Sequence, residues 1–397
     1  MKDLLQNKDM CCGCGVCELV CPSKCIYFEK DVIGAEYPSV NQTECIKCGA
    51  CEKVCPMQKD FSKNQIGKEV FAAYSNDPGI RFRGSSGGMF ETISKKIIEL
   101  GGSVFASKFD SKMHLKFFEA KTLSEVQEMT KSKYVQSKCI DVFPLVKQRI
   151  VDHKTVLFCG TPCQVEALKN FLGVFSTWNS LYLADFFCHG VPPQSLFDMC
   201  RKYVEKKKHI QILDYQFRAK KHNGATPHYL KVKYETEGGI IKNKMMLYLK
   251  DPYYLGFQKY ITLRDSCYDC PYGSGNHAAD ITLGDFHEIE KYVPEINRFD
   301  GVSTVIINTD KGKRIWDSIS DQITVHSLSL DVLLRDKTIY FGGTPIPNER
   351  DAFLKDMKQL DFEFVVKKWF DCKKEIIKEI YYFLPANIRK LIKKILH

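Results

Sequence analysis

Cys11, Cys14, Cys17 and Cys21 are spaced C-x2-C-x2-C-x3-C and followed by Pro22; Cys45, Cys48, Cys51 and Cys55 repeat the spacing and are followed by Pro56. Three thiolates so close can cap three irons of one 4Fe-4S cubane if the loop is tight. Gly13, Gly15 and Gly49 allow that, because glycine takes positive φ freely. In a duplicated run the fourth cysteine ligates the other cluster. The spacing therefore assigns Cys11, Cys14, Cys17 and Cys55 to one cluster, and Cys45, Cys48, Cys51 and Cys21 to a second. Such a module carries electrons one at a time. Zinc ribbons compete for paired cysteines, but a duplicated three-plus-one pattern argues against them. Cys12 and Cys25 are extra to the pattern and are read as non-ligands, since adjacent cysteines rarely reach the same cube.

More thiols lie downstream. Cys163 falls in the loop Cys159 to Gln164, Cys188 opens Cys188-His189-Gly190, and Cys267 and Cys270 form a C-x-x-C pair before Pro271. Four thiolates from three loops suit either a third 4Fe-4S cluster or a tetrahedral zinc site, and spacing leaves both open. Cys159 and Cys163 could alternatively form a thiol/disulfide pair, though nothing nearby marks either as activated. A further loop, Arg83 to Gly88, carries Ser85, Ser86, Gly87 and Gly88 ahead of a helical pattern. Small residues at a helix N-terminus let backbone N–H groups approach an anion, although such a loop is more often a plain turn.

These residues need elements to hold them. After a polar linker, residues 59–68, short apolar runs alternate with helical periods, which predicts an α/β fold. Val70 to Tyr74, Thr155 to Phe158, Ser180 to Phe187, Asp280 to Gly284 and Val302 to Asn308 read as strands, with Asp310 as the cap of a helix through Trp316. The loops bearing Cys163 and Cys188 leave the carboxyl ends of parallel strands, where open α/β sheets place ligands. The organisation expected is a ferredoxin-like domain over residues 1–58, a larger domain over 68–345 and a basic helical tail over 351–397. In that tail Ile377, Ile380, Tyr381, Leu384, Ile388, Leu391, Ile392 and Ile395 recur on one face, against Arg389, Lys390, Lys393 and Lys394. It suits an anionic membrane surface, or equally docking on its own protein or an oligomer partner.

The chain has 397 residues, 44% hydrophobic and 27% charged, with 18 cysteines and a formal net charge of +10. That composition excludes disorder and supports two or more domains. No apolar run of membrane-spanning length and no secretory signal is seen, so a reducing, cytoplasmic setting is expected, with peripheral membrane contact left to the tail. The charge alone selects no partner among nucleic acid, anionic lipid, a nucleotide cofactor and an acidic ferredoxin.

Residues 8–58 resemble the bacterial two-cluster ferredoxins at all eight ligand positions and both prolines. Across residues 68–345, six motifs in order resemble the family of the coenzyme F420-reducing hydrogenase and dehydrogenase beta subunits: Ser85 to Gly88, Lys131 to Ser137, Gly160 to Gln164, Cys188 to Gly190, Cys267 with Cys270, and Asp280 to Phe286. The resemblance implies a bound flavin, usually FAD with FMN as the alternative, and a third cluster on Cys163, Cys188, Cys267 and Cys270. On it, Ser85, Ser86, Gly87 and Gly88 would hold the pyrophosphate. Lys133 would offset phosphate charge or polarise the flavin ring, and Tyr134, Gln136, Ser137 and Thr161 would hydrogen-bond the cofactor. One departure is His287-Glu288, where many relatives have Trp-Gly. Nothing in the chain specifically demands F420.

The reading that follows is an iron–sulfur flavoprotein oxidoreductase. It passes electrons between a ferredoxin-type carrier and an organic substrate or deazaflavin, with His189 as the proton donor. A flavin exchanges either a hydride or single electrons, whereas a cubane takes one, which explains both in one chain. Two rivals are a pure electron-transfer subunit of a larger complex, and a nucleic-acid or membrane-associated protein with structural or sensory clusters. No aromatic-and-basic interleave supports nucleic acid.

Overall fold

The fold is described by a computed structural model over residues 10–58, 69–220, 229–286, 289–296, 300–335 and 343–371, with the isolated positions 384 and 388. The cysteine-rich segment forms two single-turn helices, Val16–Leu19 and Ala50–Lys53, and an antiparallel hairpin of β1 (Ile26–Lys30) with β2 (Glu36–Val40). Each helix starts after a left-handed glycine, Gly15 at φ 82° and Gly49 at φ 73°. A thiol-bearing loop can therefore turn straight into a helix with no Cβ in the way.

The remaining strands are β3 (Glu69–Ser75), β4 (Ser103–Phe109), β5 (Leu115–Ala120), β6 (Val156–Cys159), β7 (Leu181–Phe186), β8 (Ile210–Ala219), β9 (Tyr229–Thr236), β10 (Ile241–Leu247), β11 (Ile281–Asp285), β12 (Ser303–Ile307) and β13 (Ile323–Leu328). Eight of them make one mixed sheet in the order β13-β3-β12-β11-β7-β6-β4-β5. β4, β6, β7 and β11 are mutually parallel. β12 lies antiparallel between β11 and β3, so β3 runs in the same sense as the parallel set. The loops after β3, β6, β7 and β11 consequently open on one edge of the sheet.

Both faces are covered, which is why the central strands read as apolar runs rather than alternating ones. Val104, Ala106 and Leu157 pack with Ile93 and Ile97 of the helix Met89–Glu99 and with Trp316. Phe105, Val156 and Phe158 face the other way, against Val146 and Ile150 of Phe143–Val151 and Val165 and Leu168 of Pro162–Leu172. A separate antiparallel sheet, β10-β9-β8, packs with the helices Gln194–Lys208 and Pro252–Gln258.

One expectation changes. The helix Asp310–Asp317 is capped by Thr309, whose hydroxyl accepts the Gly312 N–H at 3.0 Å, and Asp310 is already inside it. The C-terminal segment begins as two packed helices, Arg350–Gln359 and Phe362–Trp369, with Phe353, Val365 and Val366 buried in the core. Apart from positions 384 and 388, the amphipathic pattern beyond residue 371 lies outside the described residues, as do the linker 59–68 and His287-Glu288.

Candidate metal centres

Cys11, Cys12, Cys14, Cys17, Cys51 and Cys55 line one cavity, and Cys21, Cys25, Cys45, Cys48 and Cys51 line a second, so that Cys51 borders both. Each expected set, three thiols from one run and one from the other, lies within one of these linings. Backbone N–H groups serve the sulfurs: Gly13 donates to Cys11 at 3.4 Å, and Val16, Glu18, Glu52 and Met57 donate to Cys14, Cys17, Cys51 and Cys55. Burial, followed by the neighbouring Cys11 thiol, pushes Cys17 up to about 12. At the second set Cys48 is exposed and Ile46 beside it is 65% exposed.

The loops of the large sheet bring Cys163, Cys188, Cys267 and Cys270 together. Cys163 is in the first turn of Pro162–Leu172, Cys188 follows β7, and Cys267 ends the short helix Asp265–Cys267. Their closeness has a steric signature at Gly190, φ 95°, where a Cβ would stand 2.8 Å from Cys267 Cβ. Burial and then the other thiols of the set raise Cys188 strongly, Cys267 to about 12 and Cys270 to about 11. Against this, N–H groups of Gly190, Val191 and Tyr272 point at Cys188, Cys267 and Cys270. Donors aimed at sulfurs that cannot ionise together unaided suit thiolates neutralised by a bound metal. Among the described residues no three His, Cys, Asp or Glu side chains converge on one metal ion.

The two regions meet at Cys12, whose thiol is within hydrogen-bonding reach of both Cys14 and Cys163. Several bonds lock this junction. Gln136 Nε2 donates to the carbonyls of Cys12 and Gly13 at 3.2 and 3.3 Å. Arg264 Nε and Ser266 Oγ donate to the Cys11 carbonyl at 2.6 and 2.9 Å, and Tyr272 donates to the Pro56 carbonyl at 2.7 Å. Cys25 lies in the second cavity with its sulfur 3.5 Å from that of Cys21.

The Gly/Ser loop precedes the helix Met89–Glu99, and its N-cap, Gly88, has φ 87° and no side-chain cap. Ser86 donates to the Val302 carbonyl at 2.6 Å, while Ser85 Oγ accepts the Ser132 N–H at 2.7 Å. Cations crowd this loop. Lys220 Nζ donates to the carbonyls of Ser86 and Arg81 at 2.6 and 2.7 Å, and Arg218 donates to the Ser85 carbonyl at 3.3 Å. Burial and then Lys131 push Lys220 down to about 7; burial and then Lys231 push Lys131 down to about 8. Arg218 pairs with Asp285 at 2.6 Å, and among the described residues its buried Nε has no partner. An unpartnered guanidinium N–H among mutually repelling cations is a setting that an anion would relieve.

The other anticipated side chains are spread more widely. Lys133 donates to the carbonyls of Met129, Thr130 and Lys131 at 2.8 to 3.0 Å, and burial pushes it to about 7. Tyr134 stacks on Phe257 at 4.3 Å between centroids and reaches Arg218 with its hydroxyl at 3.4 Å. Gln136 is at the junction described above, and Ser137 accepts from Gln164 at 3.0 Å. Thr161 Oγ1 is 3.2 Å from Cys163 Sγ. The His189 carbonyl accepts from Thr344 at 2.7 Å. The sequence reading did not single out Arg218, Lys220, Arg264 or the buried pair His277 and Asp185, whose Nδ1 and Oδ2 are 3.0 Å apart. Burial pulls His277 down and Asp185 pulls it further up, for a net rise.

Residues 153–331 match the sequence model for the C terminus of the coenzyme F420 hydrogenase/dehydrogenase beta subunit, and residues 10–59 match that of a 4Fe-4S dicluster domain. No curated protein matches. Among solved structures, a chain of the xenon-derivatised F420-reducing [NiFe] hydrogenase complex from Methanosarcina barkeri is similar at 16% identity and a TM-score of 0.44, over 81% of this chain and 94% of that one.

Proposed function

We propose, from the match of residues 153–331 to the C terminus of the coenzyme F420 hydrogenase/dehydrogenase beta subunit and of residues 10–59 to a 4Fe-4S dicluster domain, an iron–sulfur flavoprotein oxidoreductase fed by a ferredoxin-type carrier. The observation that carries this reading is the continuity of thiols. The exposed Cys48 set, the Cys11 set, Cys12 and the Cys163 set follow one another with bordering cavities or thiol contact at each step. Cys11, Cys14, Cys17 and Cys55 would hold one cluster, Cys21, Cys45, Cys48 and Cys51 the second, and Cys163, Cys188, Cys267 and Cys270 the third. The clusters would supply one-electron transfer, for which the residues provide N–H bonds to sulfur.

The flavin reading is supported by the cation-rich loop. Ser85 to Gly88, Arg218, Lys220 and Lys131 would hold the phosphates, with Arg218 Nε gaining its missing acceptor. A flavin supplies hydride exchange with an organic substrate or deazaflavin. Arg218 fixes the Tyr134 hydroxyl and Asp285 beside the same site. His277, oriented by Asp185, is a better-supported proton store than His189, because it is buried and its ring nitrogen is held by a carboxylate.

Anaerobic purification tests the whole assignment. About twelve irons per chain, four per cubane, and a yellow extract containing FAD or FMN are expected. About eight irons with one zinc would remove the third cluster, and a colourless extract would remove the flavin, leaving a relay subunit without a substrate site.

A further inference from the structure

Arg264 is one of the largest fully buried side chains, at 1% exposure. Its Nε donates to the Cys11 carbonyl at 2.6 Å, its NH1 to Gln136 Oε1 at 3.2 Å, and its NH2 to the Glu36 carbonyl and, at 3.6 Å, to Cys11 Sγ. Its guanidinium carbon sits 4.2 Å from the centre of the Tyr37 ring. Among the described residues no carboxylate forms an ion pair with it. The nearby acids are engaged elsewhere: Asp265 pairs with Arg350 at 2.7 Å and accepts from Tyr37 at 3.2 Å, and Asp31 accepts the N–H groups of Ile33 and Ala35. The groups that act on its charge are Cys11, Tyr37, Cys12 and Cys267, with the Asp31 carboxylate also in electrostatic range.

A buried guanidinium without a paired carboxylate is stable only opposite some other negative charge. Thiolate-ligated clusters provide it, and each gains one more negative charge on reduction. We propose that Arg264 holds the reduction potential of the cluster bound by Cys11, Cys14, Cys17 and Cys55 above that of the cluster bound by Cys21, Cys45, Cys48 and Cys51. An electron arriving at the exposed Cys48 end is thereby drawn inward toward Cys12 and Cys163. The step is a bare transfer: the outer cluster is oxidised, the inner one reduced, and no bond or proton changes place.

Burial by itself would favour the opposite order, since the more highly charged reduced state is less stable away from water. Cluster potentials respond to net charge and to hydrogen bonds to sulfur, and Arg264 supplies both at the inner set. The cation that lines the outer cavity, Lys47, is exposed and screened by solvent. In the low-dielectric interior the buried charge is the stronger by several-fold.

This inference rests on the cluster reading above, and the test separates the two. The full chain, purified anaerobically with its clusters, is titrated potentiometrically and followed by electron paramagnetic resonance. Cys48→Ser marks the outer signal and Cys267→Ser the internal one. In the unmodified protein the remaining signal should appear at higher potential than the outer one, by at least tenfold in the one-electron equilibrium constant, about 59 mV. Arg264→Gln should lower that signal and leave the outer one unmoved, whereas Arg264→Lys, which keeps the charge, should preserve most of the gap. An outer cluster that reduces first in the unmodified protein overturns the proposal even if Arg264→Gln does not fold. So does an Arg264→Gln protein that keeps its irons with the inner potential unchanged. Fewer than about eight irons in a well-folded chain would instead remove the cluster reading, and the role of Arg264 with it.

Discussion

At the residue scale, the internal thiol site depends on a position with no functional group. Gly190 sits at φ 95°, and an added Cβ would press on Cys267 Cβ at 2.8 Å. Gly190→Ala therefore combines a strained backbone with overpacking, together worth about 1–3 kcal/mol. It should lower the melting temperature and strip iron from the internal site while leaving about eight irons at the N-terminal sets. Full iron retention with an unchanged melting curve would show that the loop has more room than the geometry allows. Cys188→Ser should give the same iron loss without the same loss of stability, because it removes a ligand and adds no volume. The comparison of the two variants separates packing from ligation.

At the element scale, the helix Pro162–Leu172 aims Cys163, and its start is fixed by a reciprocal cap between Thr161 and Gln164. Gln164 Oε1 accepts the Thr161 N–H at 3.1 Å, while its Nε2 donates to Ser137. Removing the hydroxyl in Thr161→Ala should cost about 1 kcal/mol by chemical denaturation, and a hydroxyl-retaining Thr161→Ser should restore it. Most of this layer was legible in the sequence. Strands β3, β6, β7, β11 and β12 announced themselves as apolar runs. The β8-β9-β10 sheet did not, because β10 is exposed from Ile241 to Met245 and its residues there are mostly polar. Arg218, Lys220 and Arg264 were equally hidden. Their meaning comes from burial and from partners over 60 residues away in sequence, which spacing does not encode.

At the scale of the whole molecule, with its formal net charge of +10, the convergence of Lys131, Arg218 and Lys220 has a pH signature. The ordinary lysine value of 10.5 falls in the folded chain to about 8 for Lys131 and about 7 for Lys220, first through burial and then through neighbouring cations. Between the folded and unfolded values the unfolded chain binds more protons, so stability rises with pH. These two groups stabilise fully above 10.5, and that contribution is lost as pH falls through about 8 and then about 7. Cluster-bound thiolates do not titrate there. Cluster-loaded protein with no anion on the loop should therefore melt at a higher temperature at about pH 8.5 than at about pH 7. An anion on the Ser85 to Gly88 loop favours the protonated lysines and raises their folded values. Added pyrophosphate should accordingly stabilise the protein most near pH 7 and flatten the pH dependence, and Lys131→Met should flatten it without any anion. A melting temperature that falls over this interval, or one that pyrophosphate leaves untouched at pH 7, would show that the cation cluster is structural and holds no phosphate.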